Sequence, residues 1–308
     1  CGMKMLGLNV EDHYEYPNFN LTPFSTQKET TNFLVNNPHC FCLNDMGCVD
    51  ADTEYLSPIG WRKIASYKGG EVGQYDPDTK QVTFVTPSEY VVKPCAQMYR
   101  FKTTRGVDQK LSTEHRVLSL KFGKLCVESA QSVAEQQERL ALGFRGRFPT
   151  TFLGGREGFD MSDAHLRVQI AVIADGYFAS QYNRCVIRVK RERKKIRLRQ
   201  LLKAANIEYQ EKMPEYASAL GFSIFTFNAP RADKSYTSWY WAASNRQLRT
   251  IADEAHHWDG TERKADALGF YSNSKPSADF IQYAYAATGR HASLQETTRD
   301  NRFTEYKV

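Results

Sequence analysis

The stretch SDAHLRVQIAVIADGYF, residues 162–178, decides the fold of the second half of this chain. Ser162 or Asp163 can cap a helix, because a short polar side chain there accepts hydrogen bonds from the first backbone N–H groups. Apolar residues then continue to an Asp-Gly pair, and glycine commonly follows the last turn of a helix. The stretch therefore predicts a helix that ends at Gly176.

The elements that follow this helix occur twice in the same order. The first set has the patterns of a strand, a helix and two strands: RCVIRV (184–189), KKIRLRQLLKAAN (194–206), EYQEKM (208–213) and FSIFTF (222–227). A second helix, NRQLRTIADEAHHWDG (245–260), restarts the order, which continues through FYSNS, KPSADFIQYAYAATG with its end at Gly289, HASLQ and TEYKV. The Asp-Gly pair recurs after 84 residues. We predict a mixed α/β domain built from an internal repeat.

Composition limits the class of protein. A chain of 308 residues with 41% hydrophobic residues has room for about two folded domains. It lacks both a signal peptide pattern and an apolar run of about 18 residues, so we expect a soluble, cytoplasmic protein without a membrane partner. The seven cysteines are scattered without C-x-x-C spacing, which argues against a disulfide framework or a structural zinc site.

The first half of the chain has a different texture. From residue 48 to about 145, short apolar and polar runs alternate between turn signals such as Ser57-Pro58 and Gly69-Gly70, which predicts many short strands. We divide the chain into segments 1–47, 48–150 and 151–308, which makes it a multidomain protein.

Two motifs in the middle segment resemble the N-terminal splicing motifs of inteins and related Hint domains. They are CVDADTEYLSPIGWRKI (48–64) and GVDQKLSTEHRVLSL (106–120). The resemblance implies the N-terminal part of an all-β, horseshoe-shaped Hint domain. It makes Cys48 the nucleophile, His115 the catalytic histidine and Ser112 its hydroxyl partner, although threonine is commoner at the last position.

The chemistry explains these residue types. A cysteine thiol attacks the carbonyl before it and converts the Gly47-Cys48 amide into a thioester, while an imidazole protonates the departing nitrogen. This step needs no cofactor. Inteins finish with a His-Asn pair, whereas this sequence finishes with FTEYKV. We therefore expect activation of the N-terminal junction, with a C-terminal intein segment or a second split half as partner.

The first segment resembles superfamily-two helicases of phage or bacterial type through TPFSTQKETTNFL (22–34) and FCLNDMG (41–47). The resemblance makes Gln27 the adenine contact and 45–47 the first half of a phosphate-binding loop, D-M-G-x-G-K-T, that splicing of the host helicase exteins would complete. A fortuitous strand and turn is the alternative. The chain is then an intein inserted in an ATP-dependent DNA helicase.

The two helices that end in Asp-Gly resemble the paired helices of the LAGLIDADG homing endonucleases. The resemblance implies that small residues, Ala171 and Ala255, let the helices approach, and that Asp175 and Asp259 share Mg²⁺, which suits carboxylate oxygens. The large His257 and Trp258 depart from that pattern. The second repeat is shorter than the first, so we expect the endonuclease domain to be incomplete.

A basic run completes the resemblance, because half of residues 184–203 are lysine or arginine. In the endonuclease family a curved sheet faces double-stranded DNA, which makes Arg184, Arg188, Lys190 and Arg191 the candidate DNA contacts. A solvated helix face is the alternative explanation of the run. At the level of function, the alternative is a DNA-binding protein whose nuclease is inactive.

Overall fold

The computed structural model describes residues 47–102, 107–121, 124–139, 148–179, 184–213, 219–224, 234–236, 239–262, 268–299 and 303–308. Gln27 and the Asp45-Met46 pair, which carry the helicase interpretation, lie outside these residues. No helix in the described ranges combines the length and the apolar character that crossing a membrane requires.

The first half consists of short antiparallel pairs, as the alternating pattern predicts. Its elements are β1 (Glu54–Ser57), β2 (Gly60–Lys63), β3 (Val72–Asp76), β4 (Gln81–Val85), β5 (Met98–Lys102), β6 (Asp108–Ser112), β7 (Arg116–Lys121), β8 (Lys124–Ser129) and α1 (Ala130–Arg139). Each odd-numbered strand pairs with the next, which gives four separate two-stranded sheets. The sequence did not predict α1, and the Hint horseshoe remains a prediction.

The second half contains two copies of one α-β-β-α-β-β unit. The first copy is α2 (Asp163–Asp175), β9 (Gly176–Ala179), β10 (Arg184–Val189), α3 (Glu192–Ala204), β11 (Gln210–Lys212) and β12 (Leu220–Ile224). The second is α4 (Asn245–Asp259), β13 (Gly260–Glu262), β14 (Leu268–Ser272), α5 (Lys275–Ala286), β15 (Gln295–Arg299) and β16 (Phe303–Lys307).

Sheet topology shows that these two copies are equivalent. The first sheet has the order β11-β12-β10-β9 and the second the order β13-β14-β16-β15. We number the strands of each copy from one to four in chain order. The second sheet then has the order 1-2-4-3, and the first sheet has the same order when it is followed from β9 to β11. The internal repeat is therefore confirmed, and the shorter second copy has all six elements of the first.

Local interactions set the helix ends. The Ser162 side chain accepts a hydrogen bond from the backbone N of His165, and Ser244 forms a capping box with Gln247. Gly176 is extended, with φ −90°, rather than left-handed. A Cβ at this position would lie 2.7 Å from the carbonyl oxygen of Val172, so glycine lets the chain turn directly from α2 into β9.

Two hydrophobic cores organise the described residues. The larger core joins α2, α3, α4, α5 and both sheets. It also receives Leu56 of β1 and the partly buried Val82 and Phe84 of β4. The smaller contains Phe101, Leu111, Val117, Ala130 and Val133, with Val49 packed against it. Because Val49 is anchored in this second core, the backbone beside Cys48 has a fixed position.

Candidate functional site

The ends of α2 and α4 bring two carboxylates together. The two helices pack against each other, and Ala171 and Ala255 are buried in them. Asp175 and Asp259 are the last residues of these helices. Burial raises the pKa of Asp259 and the charge of Asp175 adds to this effect, so the two carboxyls are close enough to interact. Two packed helices with small buried residues therefore both end in an acidic residue.

A lysine that the sequence analysis did not single out lies at this meeting point. The Nζ atom of Lys194, in the first turn of α3, is 2.5 Å from Oδ2 of Asp175. It lies 5.7 Å from the ring centre of Trp258 and opposes the rise in the pKa of Asp259. The sequence signals were its place in the basic run 184–203 and at the start of a helix that follows a strand. The carboxylates are therefore unequal, since Lys194 pairs directly with Asp175 alone.

The donor atoms of this site fit magnesium. Mg²⁺ binds hard oxygen ligands and often takes one or two protein carboxylates, with water and substrate phosphates completing its coordination. Asp175 and Asp259 supply such carboxylates. Within the described part of the chain, no group of three or more His, Cys, Asp or Glu side chains is placed to hold a metal. Two carboxylates thus match the protein ligands that Mg²⁺ takes when water and a phosphate group supply the others.

A buried glutamate connects the helices beneath the carboxylates. Glu254 has no exposed side-chain surface, and it accepts hydrogen bonds from Arg167 Nη1 at 2.9 Å and Arg197 Nη2 at 2.5 Å. Trp258 Nε1 also donates to it, at 3.0 Å. Burial alone would raise the pKa of Glu254, but the two arginines outweigh this effect and lower it. The network joins α2, α3 and α4, so it fixes the position of Lys194 relative to both helix ends.

Trp258 explains why a bulky residue is tolerated near the helix pair. It is 3% exposed, and its hydrogen bond to Glu254 lies within the same helix, four residues away. The ring therefore runs back along α4 and lies under Lys194, and α2 and α4 still pack together.

The candidate DNA contacts lie on β10 and in the connection that follows it. Arg188 is exposed on β10, and its guanidinium lies 5.2 Å from the ring centre of Tyr177 on β9. Lys190 and Arg191 are exposed in the connection from β10 to α3, whereas Arg184 is half-buried. These four residues therefore share one strand and its C-terminal end, and their contact with DNA stays a prediction.

The rest of the basic run has another use. Cations of α3 pair with acidic groups of the chain: Lys194 with Asp175, Lys195 with Glu192, Arg197 with Glu254, and Arg199 with Glu211. Arg193 donates to the carbonyl oxygen of His257 at 2.7 Å. Most cations of α3 thus make contacts within the chain. This differs from both interpretations of the basic run, a surface that binds phosphates and a helix face that is only solvated.

A second site surrounds Cys48. The backbone N of Cys48 donates to Ser112 Oγ at 2.8 Å, and the backbone N of Ser112 donates to the Cys48 carbonyl oxygen at 2.9 Å. The pairing continues between Val49 and Leu111. The segment that begins at Cys48 therefore lies antiparallel to β6, with the Ser112 hydroxyl on the amide that the splicing interpretation breaks.

His115 completes this second site. It follows β6 in a turn, where its backbone N donates to the Ser112 carbonyl oxygen at 3.1 Å. Burial lowers the pKa of the imidazole, and contacts with the backbone of Gly47 and Cys48 oppose this shift. The structure thus brings the three predicted residues together around one peptide bond.

Comparison with known proteins gives similarity to solved structures alone. No family profile matches this sequence, and neither does any curated protein. Full-length DUF199/WhiA from Thermatoga maritima is similar with 8% identity and a TM-score of 0.35, over 49% of this chain and 52% of that one. The chain thus spans about half the length of that protein. The N-terminal LAGLIDADG domain of DUF199/WhiA gives 10% identity and a TM-score of 0.34, over 48% and 76%. I-DmoI in complex with DNA and Mn gives 11% identity and a TM-score of 0.33, over 47% and 89%.

Proposed function

We propose that the second half of this chain is a magnesium-dependent homing endonuclease of the LAGLIDADG type that cuts double-stranded DNA. The observation that carries this proposal is that Asp175 and Asp259 end two packed, repeat-related helices, with the ammonium of Lys194 2.5 Å from Asp175. Two carboxylates that hold a divalent cation, beside a sheet that carries exposed cations, suit phosphodiester cleavage, because the metal neutralises the anionic phosphate that the carboxylates alone would repel.

Each residue has a distinct task in this proposal. Asp175 and Asp259 would hold the ion, which lowers the pKa of a bound water and neutralises charge that develops on the phosphate. Arg188, Lys190 and Arg191 would contact the DNA backbone or base edges. Lys194 would keep the two carboxylates from repelling each other before DNA and metal arrive, since its ammonium lies beside Asp175.

Selection from a randomised duplex library tests this function. The purified chain is incubated with the library in Mg²⁺ or in EDTA, and new DNA ends are sequenced. We expect Mg²⁺-dependent ends at one motif, and no ends with Asp175→Asn or Asp259→Asn. Enrichment of one motif by binding without any cleavage would instead support the DNA-binding protein with an inactive nuclease.

A second function, N-terminal protein splicing chemistry, is favoured by the contacts around Cys48. We propose that the Gly47-Cys48 amide rearranges to a thioester in an intein. The supporting observation is the hydrogen bond from the amide nitrogen of Cys48 to Ser112 Oγ, with His115 against the same peptide bond.

The reaction balances without any further reactant. The Sγ atom of Cys48 forms a bond to the carbonyl carbon of Gly47, and the bond between this carbon and the Cys48 nitrogen breaks. The thiol proton passes through His115 to the departing nitrogen, which becomes an amine. A lowered imidazole pKa suits both steps, since the neutral ring accepts the thiol proton and its protonated form is a stronger acid.

Intact mass after addition of dithiothreitol tests this second function. A thioester exchanges with the added thiol, so the chain should separate after Gly47. Cys48→Ala should abolish the separation. An intact wild-type chain under these conditions would count against the thioester. The helicase host stays a proposal that depends on a G-K-T motif in the joined downstream segment.

A further inference from the structure

The residue before the proposed nucleophile is a glycine that lies directly against His115. A Cβ placed on Gly47 would overlap Cα and Cβ of His115 and would lie 2.5 Å from its Cγ. Real Cβ atoms essentially never come so close to another heavy atom. The nearest atom belongs to the backbone, so a change of side-chain rotamer at His115 cannot relieve the overlap.

The backbone of His115 is held on both sides. Its N–H donates to the carbonyl oxygen of Ser112 at 3.1 Å, and its own carbonyl accepts from Ala130 N at 2.8 Å. Ala130 begins α1 and is fully buried in the smaller core. Moving His115 away from residue 47 would therefore break a turn and disturb the start of a helix.

The other partner is held as firmly. Cys48 exchanges two hydrogen bonds with Ser112, Asp50 N donates to the carbonyl oxygen of Lys110 at 3.2 Å, and Val49 packs against the smaller core. A side chain at position 47 could be accommodated only if the chain lifted away from β6. The Cys48 amide would then lose the Ser112 hydroxyl.

We infer that His115 makes the nucleophile site selective for glycine, so that the acyl group transferred to Cys48 must end in a glycine residue. This inference rests on the proposed thioester chemistry. The selectivity comes from the backbone of His115, which leaves no room for a Cβ atom at position 47, the residue before the broken bond.

Thiol-induced cleavage of variants at position 47 tests the inference. Gly47→Ala should cleave on the order of tenfold more slowly than the wild type, because overlap with fixed backbone is costly, and Gly47→Val should cleave more slowly still. Gly221→Ala is the matched control, since among the described residues its added Cβ meets only Lys212 O, at 3.4 Å, and should leave the rate unchanged. Thermal unfolding should show that all variants fold.

Hydrogen exchange of the Cys48 amide gives a reading that does not depend on cleavage. The amide should be protected in the wild type and in Gly221→Ala, and exposed in Gly47→Ala. If Gly47→Ala cleaves at the wild-type rate, the inference is wrong and the thioester chemistry stands. If the wild type has a protected amide but never cleaves, the thioester proposal fails, and the selectivity inferred from it fails with it.

Discussion

The two repeats share one topology but differ in where they carry charged side chains. When the helices are aligned on their Asp-Gly ends, Ile170 of the first occupies the place of Glu254 in the second. The helix after the second strand also differs, since α3 carries five cations that are used internally, whereas α5 buries Phe280, Ile281 and Tyr283. A duplicated fold thus fixes the order of elements and leaves the electrostatics of each copy free to diverge.

This difference makes the two helix ends chemically unequal. Asp175 has a direct ion pair with Lys194, whereas burial raises the pKa of Asp259. In both copies the second helix begins three residues after the end of the second strand, so Ser277 of α5 is the counterpart of Lys194 in α3. Ser277 is buried, and its hydroxyl accepts a hydrogen bond from Tyr236 N. The following predictions therefore concern charges that one repeat has and the other lacks.

The largest effect is expected from the buried glutamate. Glu254→Ala should lower the free energy of unfolding by about 3–5 kcal/mol, because it leaves the cations of Arg167 and Arg197 without their buried partner. Urea denaturation measures this loss. A cost below about 1 kcal/mol would show that water replaces the carboxylate and that the network does not hold the repeats together.

Two controls separate the charge from the space it fills. Glu254→Leu combined with Arg167→Met and Arg197→Met should recover most of the stability, since apolar groups of similar size can replace a buried ion network. The pKa of Glu254 is lowered from 4.5, so its contribution is present above this value and is lost as the pH falls through the lower pKa of the folded state. The destabilisation by Glu254→Ala should therefore shrink in acid.

The sequence predicted the repeat because its signals are local. Ser162 caps its own helix, Ser244 and Gln247 form a box within four residues, and Gly289 ends α5 with φ +80°. β9 and β13 were missed, since three or four residues directly after a helix give too short an alternation to detect. Local patterns thus gave the order of elements but not their full number.

The candidate sites follow the same division. The positions of Asp175 and Asp259 at two helix ends were predictable, because each belongs to an Asp-Gly pair that follows a helical pattern. The Glu254 network was not, because its two arginines lie 87 and 57 residues away, and charges on a helix otherwise suggest a solvated face. The sequence also did not predict that β1 packs into the core of the second half, because Leu56 reaches that core only through tertiary packing.

The second largest effect separates the two carboxylates. Asp175→Asn and Asp259→Asn should each reduce DNA cleavage more than about 100-fold, because residues that merely support metal ligands already cost 10–100-fold. Their effects on stability at neutral pH should have opposite signs. Asp259→Asn should raise the melting temperature, since burial penalises its charge, whereas Asp175→Asn should lower it by removing the partner of Lys194. Equal shifts from both variants would mean that the helix ends are equivalent.

A smaller effect distinguishes outward cations from internally paired ones. Arg188→Ala should weaken DNA binding and reduce the slope of log affinity against log salt by about one, as expected for one lost phosphate contact. Arg199→Ala is the matched control, because Arg199 makes two hydrogen bonds of 2.7 Å with Glu211. It should leave the slope unchanged. If both variants change the slope equally, α3 binds DNA as well.

The smallest effect concerns two adjacent lysines of α3. Lys194 pairs with Asp175 between the repeats' helix ends, whereas Lys195 pairs with Glu192 one turn earlier on its own helix, where Glu192 is largely exposed. The side chain of Lys195 is largely covered, but its partner Glu192 is open to water, which screens the pair, so we expect the pair to contribute roughly 0–1 kcal/mol. Lys195→Met should therefore change the free energy of unfolding by less than about 0.5 kcal/mol. Lys194→Met should cost on the order of 1 kcal/mol more, because it leaves Asp175 and Asp259 facing each other without the ammonium that lies beside them. Urea denaturation of both variants decides the comparison, and equal costs would show that Lys194 is as dispensable as a surface charge.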